Sequence, residues 1–337
     1  MMKHHKIRKK YHVYEFPDFC DQEKSYPNLV KMTLSQCGHL SLYYRPQMKE
    51  IFSIPKALPE EADFFVVPIV IHLNEPFPSH QDPRWQQAFR SLESDLKNLV
   101  LDRCPHFQEH KSRHIFFQVS DCDQVVPSIR DCIVFKDSPN KNMRILPLYF
   151  QTLLHQNWKC ISEASLDISF QGTTNNNPLR KQMGPALNRA KQEGMKVYYK
   201  DAVRYFYFHD EKTRSQLRQE LLNSINDAKF VMNPAGKGHS SPRLYETLQA
   251  GRIPVIVSDD IAMPLAMRIP WDRISVMVPQ HDVLNTYRYV NEFQEKHSLE
   301  DSSNLAKEIF NRFFAPGCLF GFIENSLEDA EKEGLIS

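Results

Sequence analysis

The stretch from residue 228 to residue 265 reads AKFVMNPAGKGHSSPRLYETLQAGRIPVIVSDDIAMPL, and its order of residue types decides the fold. An apolar run is followed by a glycine-containing loop, a segment with helical spacing and a second apolar run. Strand, loop, helix and strand in this order form one unit of a parallel α/β sheet. The chain has ten glycines, and Gly236, Gly238 and Gly251 all fall within this stretch. Because glycine loops before helices often bind ligands, the stretch is also the first candidate for a site.

Three independent signals delimit the helix in this stretch. Ser241 stands where an N-cap residue belongs, Pro242 takes the first helical position, and Gly251 lies just past the end. The glycines before the helix let backbone N–H groups approach a phosphate, which the helix dipole also favours. The residues that we assign to this phosphate-binding loop are Gly236, Lys237, Gly238, His239, Ser240 and Ser241.

Arg243 and Glu246 are three residues apart on the helix, so they share a face. The planar guanidinium of Arg243 suits a diphosphate because it donates hydrogen bonds in pairs. The carboxylate of Glu246, one turn deeper, suits the two neighbouring hydroxyls of a ribose. A surface salt bridge within the helix is the alternative, and the loop before the helix favours the nucleotide. We therefore assign both residues to a donor site.

Three other classes of site are disfavoured by spacing. The P-loop has its Lys directly after the second Gly of G-x-x-x-x-G, whereas Lys237 lies between two glycines. The dinucleotide fingerprint G-x-G-x-x-G has Ser241 at the place of its third Gly. The G-x-S-x-G elbow of an α/β-hydrolase does not occur in the chain. The spacing therefore argues against a kinase, a dehydrogenase and a hydrolase.

Composition and charge restrict the class of protein. At about 150 residues per domain, 337 residues indicate two globular domains. The net charge of +1 gives no field that attracts nucleic acid, and the basic N-terminus indicates at most a peripheral membrane contact. Seven cysteines without metal-ligand spacing predict neither a metal site nor a disulfide framework, and they favour a reducing compartment.

Short apolar runs that alternate with helical segments predict a doubly wound α/β fold. Residues 63–72 form a nearly continuous apolar run, which is typical of a strand covered on both faces, and residues 83–101 have helical spacing. After a polar, turn-rich stretch at residues 172–178 the same alternation is repeated. The domain limits that we predict are 1–155 for an N-terminal domain, 156–300 for a second domain that contains the candidate nucleotide site, and 301–337 for C-terminal helices with a solvated acidic tail.

From Ala228 onward the chain resembles the exostosin family of glycosyltransferases, family 47. The family pattern is P-x-G, then S-x-R-x-x-E, then G-x-x-P-V-I followed by Ser-Asp and Pro. The residues in register with it are Pro234, Gly236, Ser241, Arg243, Glu246, Gly251, Pro254, Val255, Ser258, Asp259 and Pro264. Weaker similarity at residues 11–19, 62–68 and 114–121 extends the resemblance into the first half of the chain.

The resemblance implies the GT-B type of fold, in which two Rossmann-like domains face each other across a cleft. It also implies that the N-terminal domain, residues 1–155, is the acceptor-side domain and that residues 156–300 form the domain that binds the nucleotide-sugar donor. It implies an inverting glycosyltransferase that moves a sugar from a nucleoside-diphosphate sugar, expected to be a UDP-sugar, to a glycan or polysaccharide acceptor. A catalytically idle relative that binds nucleotide or glycan as an assembly partner is the alternative. We expect no metal or other cofactor, because Arg243 and the loop meet the charge of the diphosphate.

The resemblance also implies a general base from the N-terminal domain, at the carboxyl end of a strand. Three residues qualify, namely Asp121, which fits the family pattern best, His72 and Glu75. Asp121 also begins an Asp-Cys-Asp triplet that ends at Asp123. In another transferase fold such a triplet binds a divalent metal on the donor diphosphate, and this is the less favoured interpretation.

The chain departs from the family at two points. Asn233 and Arg252 stand where the family usually has Cys, and we find no counterpart of its usual membrane anchor in the sequence. Loss of a disulfide agrees with a reducing compartment. We therefore expect a cytoplasmic protein that is at most peripheral to the inner face of a membrane.

Overall fold

The computed structural model describes residues 9–15, 50–51, 54–73, 83–120, 125–137, 146–148, 157–175, 177–202, 210–236 and 238–336. The chain divides into two compact units. The N-terminal unit runs to Gln151 and also contains residues 262–265 and 316–337, and the C-terminal unit contains residues 152–261 and 266–315. Each unit is built on its own parallel sheet, so the predicted α/β class with two Rossmann-like domains is confirmed.

The sheet of the N-terminal unit has its strands in chain order, all parallel. Its strands are β1 Tyr11–Val13, β2 Phe64–Leu73, β3 His114–Ser120, β4 Ile133–Lys136 and β5 Leu146–Pro147, and helix α1 Pro83–Arg103 lies between β2 and β3 in the chain. Pro68 stands inside β2, although proline cannot donate a ladder hydrogen bond. The register with β3 shifts at this place, between Val66 and Val70, which accommodates the proline.

Helix α1 packs on this sheet through one apolar face. Leu92, Leu96 and Leu99 are fully buried, and Phe89 packs against the same cluster. Steps of three and four residues place these side chains on one side of a helix, as the sequence predicts. The helix continues two residues beyond the predicted end at residue 101.

Histidine rings surround Phe65 near the amino-terminal ends of β2 and β3. The four rings, with centroids within 6 Å of the Phe65 ring, belong to His12, His106, His110 and His114. His114 is fully buried. Its Nδ1–H donates to the carbonyl of His110 at 2.8 Å, so its Nε2 accepts from the hydroxyl of Tyr14 at 2.9 Å. Burial, reinforced by neighbouring positive charge, lowers the pKa of His114 to about 4.

Lowering the pH from 7 to 4 is expected to destabilise the N-terminal unit through His114. The pKa of a histidine in the unfolded chain is 6.5, and that of His114 in the folded protein is about 4. The neutral, buried imidazole therefore contributes its full stabilisation above pH 6.5, and this contribution is lost as the pH falls toward 4. The loss is about 3 kcal/mol in free energy of unfolding. Between pH 7 and pH 4, the protection of amide hydrogens in β2 and β3 against exchange should fall less in His114→Gln than in the control His281→Gln. The control changes an exposed histidine. Equal pH dependence in the two variants would contradict this.

The sheet of the C-terminal unit follows the order β10-β9-β8-β6-β7, again with parallel strands. Its strands are β6 Leu166–Gly172, β7 Val197–Asp201, β8 Ala228–Pro234, β9 Ile253–Val257 and β10 Val276–Val278. The direction in which strands are added reverses between β6 and β8. In open α/β sheets ligands bind beyond the carboxyl ends of the strands at such a switch point.

Helices cover both faces of this second sheet. They are α2 Pro178–Lys181, α3 Met183–Gln192, α4 Glu211–Asn226, α5 Pro242–Gln249, α6 Trp271–Ile274, α7 Thr286–Lys296 and α8 Leu299–Ile309, which a π-helix, Phe310–Phe314, continues. Buried residues of α3 and α7 pack with Phe170 and Phe230 on one face. On the other face, Ile225 of α4 packs with Val231.

The last helix, α9 Leu319–Lys332, belongs to the N-terminal unit. The carboxylate of Glu50 accepts hydrogen bonds from the N–H groups of Gly317 at 2.7 Å and of Leu319 at 3.0 Å, at the start of the helix. The sequence predicts a solvated acidic tail here, and the structure corrects this because the helix packs through a broad face. The acidic residues that it buries are Glu324 and Asp329.

Arg252, one of the two departures from the family, is fully buried. Its guanidinium donates to the carbonyls of Lys159 at 2.9 Å, Asn226 at 2.7 Å and Ala250 at 3.3 Å. Arg252 therefore joins the start of β9 to the end of α4 and to the segment before β6. Its burial lowers the pKa of the guanidinium below its usual value.

None of the helices among the described residues is long and apolar enough to cross a membrane. The four cysteines that lie among these residues are free thiols, namely Cys104, Cys132, Cys160 and Cys318.

Candidate functional site

The helix limits predicted from the sequence are confirmed. The side chain of Ser241, the N-cap of α5, accepts a hydrogen bond from the N–H of Arg243 at 3.1 Å, and Pro242 takes the first position. Gly251 has a φ of 64°, the left-handed conformation that glycine adopts without a steric penalty. The start of α5 therefore lies beyond the carboxyl end of β8, next to the switch point.

Arg243 reaches the other strand at the switch point, β6. Its guanidinium lies over the ring of Phe170, 5.5 Å from the centroid. An ideal Cβ built on Gly172, the last residue of β6, would lie 3.3 Å from Nη1 of Arg243. Glycine at 172 thus leaves the space that the guanidinium occupies, and the ring beneath it limits where the guanidinium can move. The structure places the cation at the sheet edge where ligands bind in this fold class.

The loop between β8 and α5, residues 235–241, is held by side chains from the first turn of α2. Arg180 donates from Nε to the carbonyl of Ala235 and from Nη2 to that of Pro234, both at 3.3 Å. Asn177, the N-cap of α2, donates to the carbonyl of Gly236. We call residues 235–241 the donor loop.

The backbone of the donor loop is partly occupied by its own hydrogen bonds. The N–H of Ala235 donates to the carbonyl of Val257 at 3.0 Å, and the N–H of Gly236 donates to that of Gly238 at 2.9 Å. An ideal Cβ on Gly236 would lie only 3.0 Å from Nη2 of Arg180. In this structure Gly236 therefore contributes space for Arg180, and its own N–H is directed into the loop.

Glu246 is buried and forms an ion pair that the sequence does not predict. One of its oxygens lies 2.8 Å from Nη1 of Arg218, a residue of α4, and its side chain is 3% exposed. The alternative of a salt bridge within α5 is not what the structure shows, since the partner comes from another helix. The pair keeps a carboxylate one turn below Arg243, and it occupies one of the two oxygens that a ribose could use.

The other predicted site residues are distributed as follows. His239 and Ser240 lie in the donor loop and are half-buried, whereas Lys237 lies outside the described residues. His72 lies in β2 in register with Val119 of β3, with its side chain outside the described part. Glu75 and Asp121, the other two candidates for the general base, lie outside the described residues, as does Asp123. The assignment of the base stays a prediction.

Sequence reasoning misses Arg180, Asn177, Arg218 and Phe170. A signal existed for the first two, because the polar stretch at residues 172–178 directly follows a strand and precedes a helix. Arg218 is one of several charged residues on α4, and nothing in the sequence singles it out. In the part of the chain that the structure describes, no three His, Cys, Asp or Glu side chains come together as a metal site.

Comparisons with known proteins identify the family to which the chain belongs. The Exostosin GT47 domain matches residues 13–293. A probable glucuronosyltransferase of Oryza sativa subsp. japonica is 25% identical over 261 residues, which cover 67% of this chain and 55% of the relative. A probable glucuronoxylan glucuronosyltransferase of Arabidopsis thaliana is 24% identical over 284 residues, which cover 75% and 58%. The chain thus spans little more than half the length of these relatives.

A solved structure with a related shape is an O-GlcNAc transferase mutant of Thermobaculum terrenum. It has a TM-score of 0.43 and 11% sequence identity, and the match covers 97% of this chain and 68% of that chain. A TM-score of this size supports no conclusion about site or activity.

Proposed function

Because the chain belongs to the exostosin GT47 family, we propose that it is a glycosyltransferase that moves a sugar from a nucleoside-diphosphate sugar to a glycan or polysaccharide acceptor. The observation that carries the proposal is the position of Arg243 at the switch point of the C-terminal sheet. Arg243 lies in the first turn of α5, and its guanidinium lies over the ring of Phe170. The names of the plant relatives, glucuronosyltransferases, favour a UDP-sugar as donor.

Transfer from such a donor builds negative charge on the leaving diphosphate. Arg243 would stabilise that charge with a two-pronged contact, and the amino-terminal end of α5 adds a favourable dipole at the same place. These groups cover the task that a divalent cation has in other transferases, so we propose a metal-independent reaction. An acceptor hydroxyl must lose a proton as the new bond forms, and for an inverting reaction we propose Asp121 as the base, with His72 and Glu75 as the alternatives.

Glu246 would bind the ribose with the carboxylate that Arg218 holds. The ion pair with α4 fixes the carboxylate in a buried position, so a nucleoside meets an acceptor that needs no reorganisation. Hydroxyl groups of the ribose donate, and the carboxylate accepts. Binding by this residue and the purely structural role of the ion pair predict different effects of substitution.

UDP is expected to bind the full chain and to raise the melting temperature of the C-terminal unit. At a UDP concentration a hundredfold above Kd, the free energy of unfolding should rise by about 2.7 kcal/mol. Glu246→Gln should weaken UDP binding by roughly 10- to 100-fold, because a hydrogen bond to a charged group contributes about 1.5–3 kcal/mol. Isothermal titration calorimetry measures both affinities.

The matched control for Glu246→Gln is Asp167→Asn. Asp167 also forms an ion pair in the C-terminal unit, with Lys229 at 2.8 Å, but near the amino-terminal end of β6, away from the switch point. Its variant should bind UDP as the wild type does. If Glu246→Gln lowers stability and leaves the affinity for UDP unchanged, the residue has only the structural role. If no nucleoside diphosphate binds the wild type at millimolar concentration, the proposed function is wrong.

A further inference from the structure

We propose that Arg180 is a positioning residue for the donor loop, and that its guanidinium holds the two strand ends at the switch point in the arrangement that takes a nucleoside diphosphate. The inference rests on the proposed function, because it concerns the same site. It goes beyond that function by assigning a role to a residue of α2 that lies outside the resemblance pattern of residues 228–265.

The first observation is the set of groups that one guanidinium joins. Besides the carbonyls of Pro234 and Ala235, Arg180 donates from Nη1 to the carbonyl of Thr173 at 3.5 Å. Thr173 directly follows β6, and the other two carbonyls end β8 and begin the donor loop. A planar guanidinium presents its N–H groups in a fixed fork, so a single side chain sets the spacing between these two strand ends.

The second observation comes from Gly236 and is independent of those hydrogen bonds. An ideal Cβ at this position would lie 3.0 Å from Nη2 and 3.3 Å from Cζ of Arg180, closer than nearly all real contacts of a Cβ. The donor loop thus packs its backbone directly on the guanidinium. A methyl group at 236 would push the guanidinium away from the carbonyls that it holds.

These contacts connect Arg180 to the ligand through Arg243. On one side Arg180 holds the carbonyl of Thr173. The preceding residue, Gly172, is in contact with the guanidinium of Arg243. The loop that Arg180 holds on the other side leads to Ser241 and the start of α5. A shift of the two strand ends relative to each other would therefore move the start of α5, which carries Arg243, away from Gly172 and the ring of Phe170. The guanidinium would then lose the position in which we propose that it meets the diphosphate.

The test compares Arg180→Gln, Arg180→Lys and Gly236→Ala in the full chain, with Arg189→Gln as control. Arg189 lies on α3 over the ring of Tyr287, 5.7 Å from its centroid. Among the described residues it forms no hydrogen bond or ion pair with the donor loop. We expect Arg180→Gln to weaken UDP binding by about tenfold or more. Arg180→Lys should restore little, because one ammonium cannot keep the fork geometry. Arg189→Gln should bind UDP as the wild type does.

The sharpest readout is the double variant Arg180→Gln with Gly236→Ala. If the methyl group acts by displacing Arg180, Gly236→Ala weakens UDP binding in the wild-type background and adds nothing when Arg180 is already replaced. If the methyl group acts independently of Arg180, the two losses add. The melting temperature of each variant without ligand reports whether the unit is folded.

Three results would overturn the inference. The first is that Arg180→Gln binds UDP with wild-type affinity. The second applies if Arg180→Gln does not fold, and it is that both Arg180→Lys and Gly236→Ala bind UDP with wild-type affinity. The third is that the losses of affinity add in the double variant. Failure of the wild type itself to bind any nucleoside diphosphate is a different result, which counts against the proposed function. Binding by the wild type together with equal binding by the Arg180 variants counts against the role of Arg180 alone.

Discussion

Replacing Arg243 with Ala is expected to lower kcat/KM for sugar transfer by about 10²- to 10³-fold, the usual effect of removing one group that stabilises developing negative charge. The ring of Phe170 below the guanidinium and the space above Gly172 fix its position at the switch point. Arg243→Lys should restore little, because an ammonium is a point charge and cannot make a two-pronged contact with a diphosphate.

The control for Arg243→Ala is Arg273→Ala, which removes an exposed arginine from the end of α6. Transfer should be measured with a panel of UDP-sugars, in EDTA and with added Mn²⁺. If Arg243 neutralises the diphosphate, the wild type keeps its activity in EDTA. Activity that is lost in EDTA and returns with Mn²⁺ would contradict this account and would favour Asp121 and Asp123 as metal ligands. UDP binding without transfer of any sugar would favour the catalytically idle relative.

Removing residues 316–337 is expected to unfold the N-terminal unit. Helix α9 buries Leu319, Phe322, Ile323 and Leu327 in that unit, and burial of each side chain contributes about 1.5–3 kcal/mol. The sum is comparable to the whole stability of a typical domain, about 5–15 kcal/mol. The ring of Phe320 also packs edge-on against Tyr11 of β1, with centroids 5.1 Å apart.

Limited proteolysis with mass spectrometry measures this second effect. In the truncated chain, cleavage should appear throughout β1 to β5, while the C-terminal unit stays protected. Removing only residues 334–337, which follow α9, is the control and should leave both units protected. An N-terminal unit that resists protease without α9 would show that the helix is an accessory to that sheet.

The strands and helices could be predicted well where the local signals agree. The sequence predicts a strand over residues 253–257, because Gly251 ends the preceding helix and the apolar run ends before Ser258, and β9 has these limits. The spacing of apolar residues also predicts one helix over about residues 178–193, whereas the structure has two, α2 and α3, which meet at Gln182. Periodicity does not reveal that break, because the apolar face continues through it.

The candidate site could be predicted only in part, and the reason is the range of its contacts. The residues of the motif, from Gly236 to Glu246, are neighbours in sequence and lie on one loop and the helix that follows it. Arg180 and Arg218 reach them from α2 and α4, more than 25 residues away in the chain, through contacts that depend on the order of the strands. A local pattern contains no information on which charged side chain faces a given loop.

The position of α9 also determines the order in which the protein can fold during synthesis. The N-terminal unit needs both Tyr11 and Phe320, and Phe320 is translated after the whole C-terminal unit, which ends at Ala315. The unit translated second is therefore complete first. Until α9 emerges, the apolar surface that it covers stays exposed on the nascent chain, and this interval is when the protein is most open to aggregation and most dependent on chaperones.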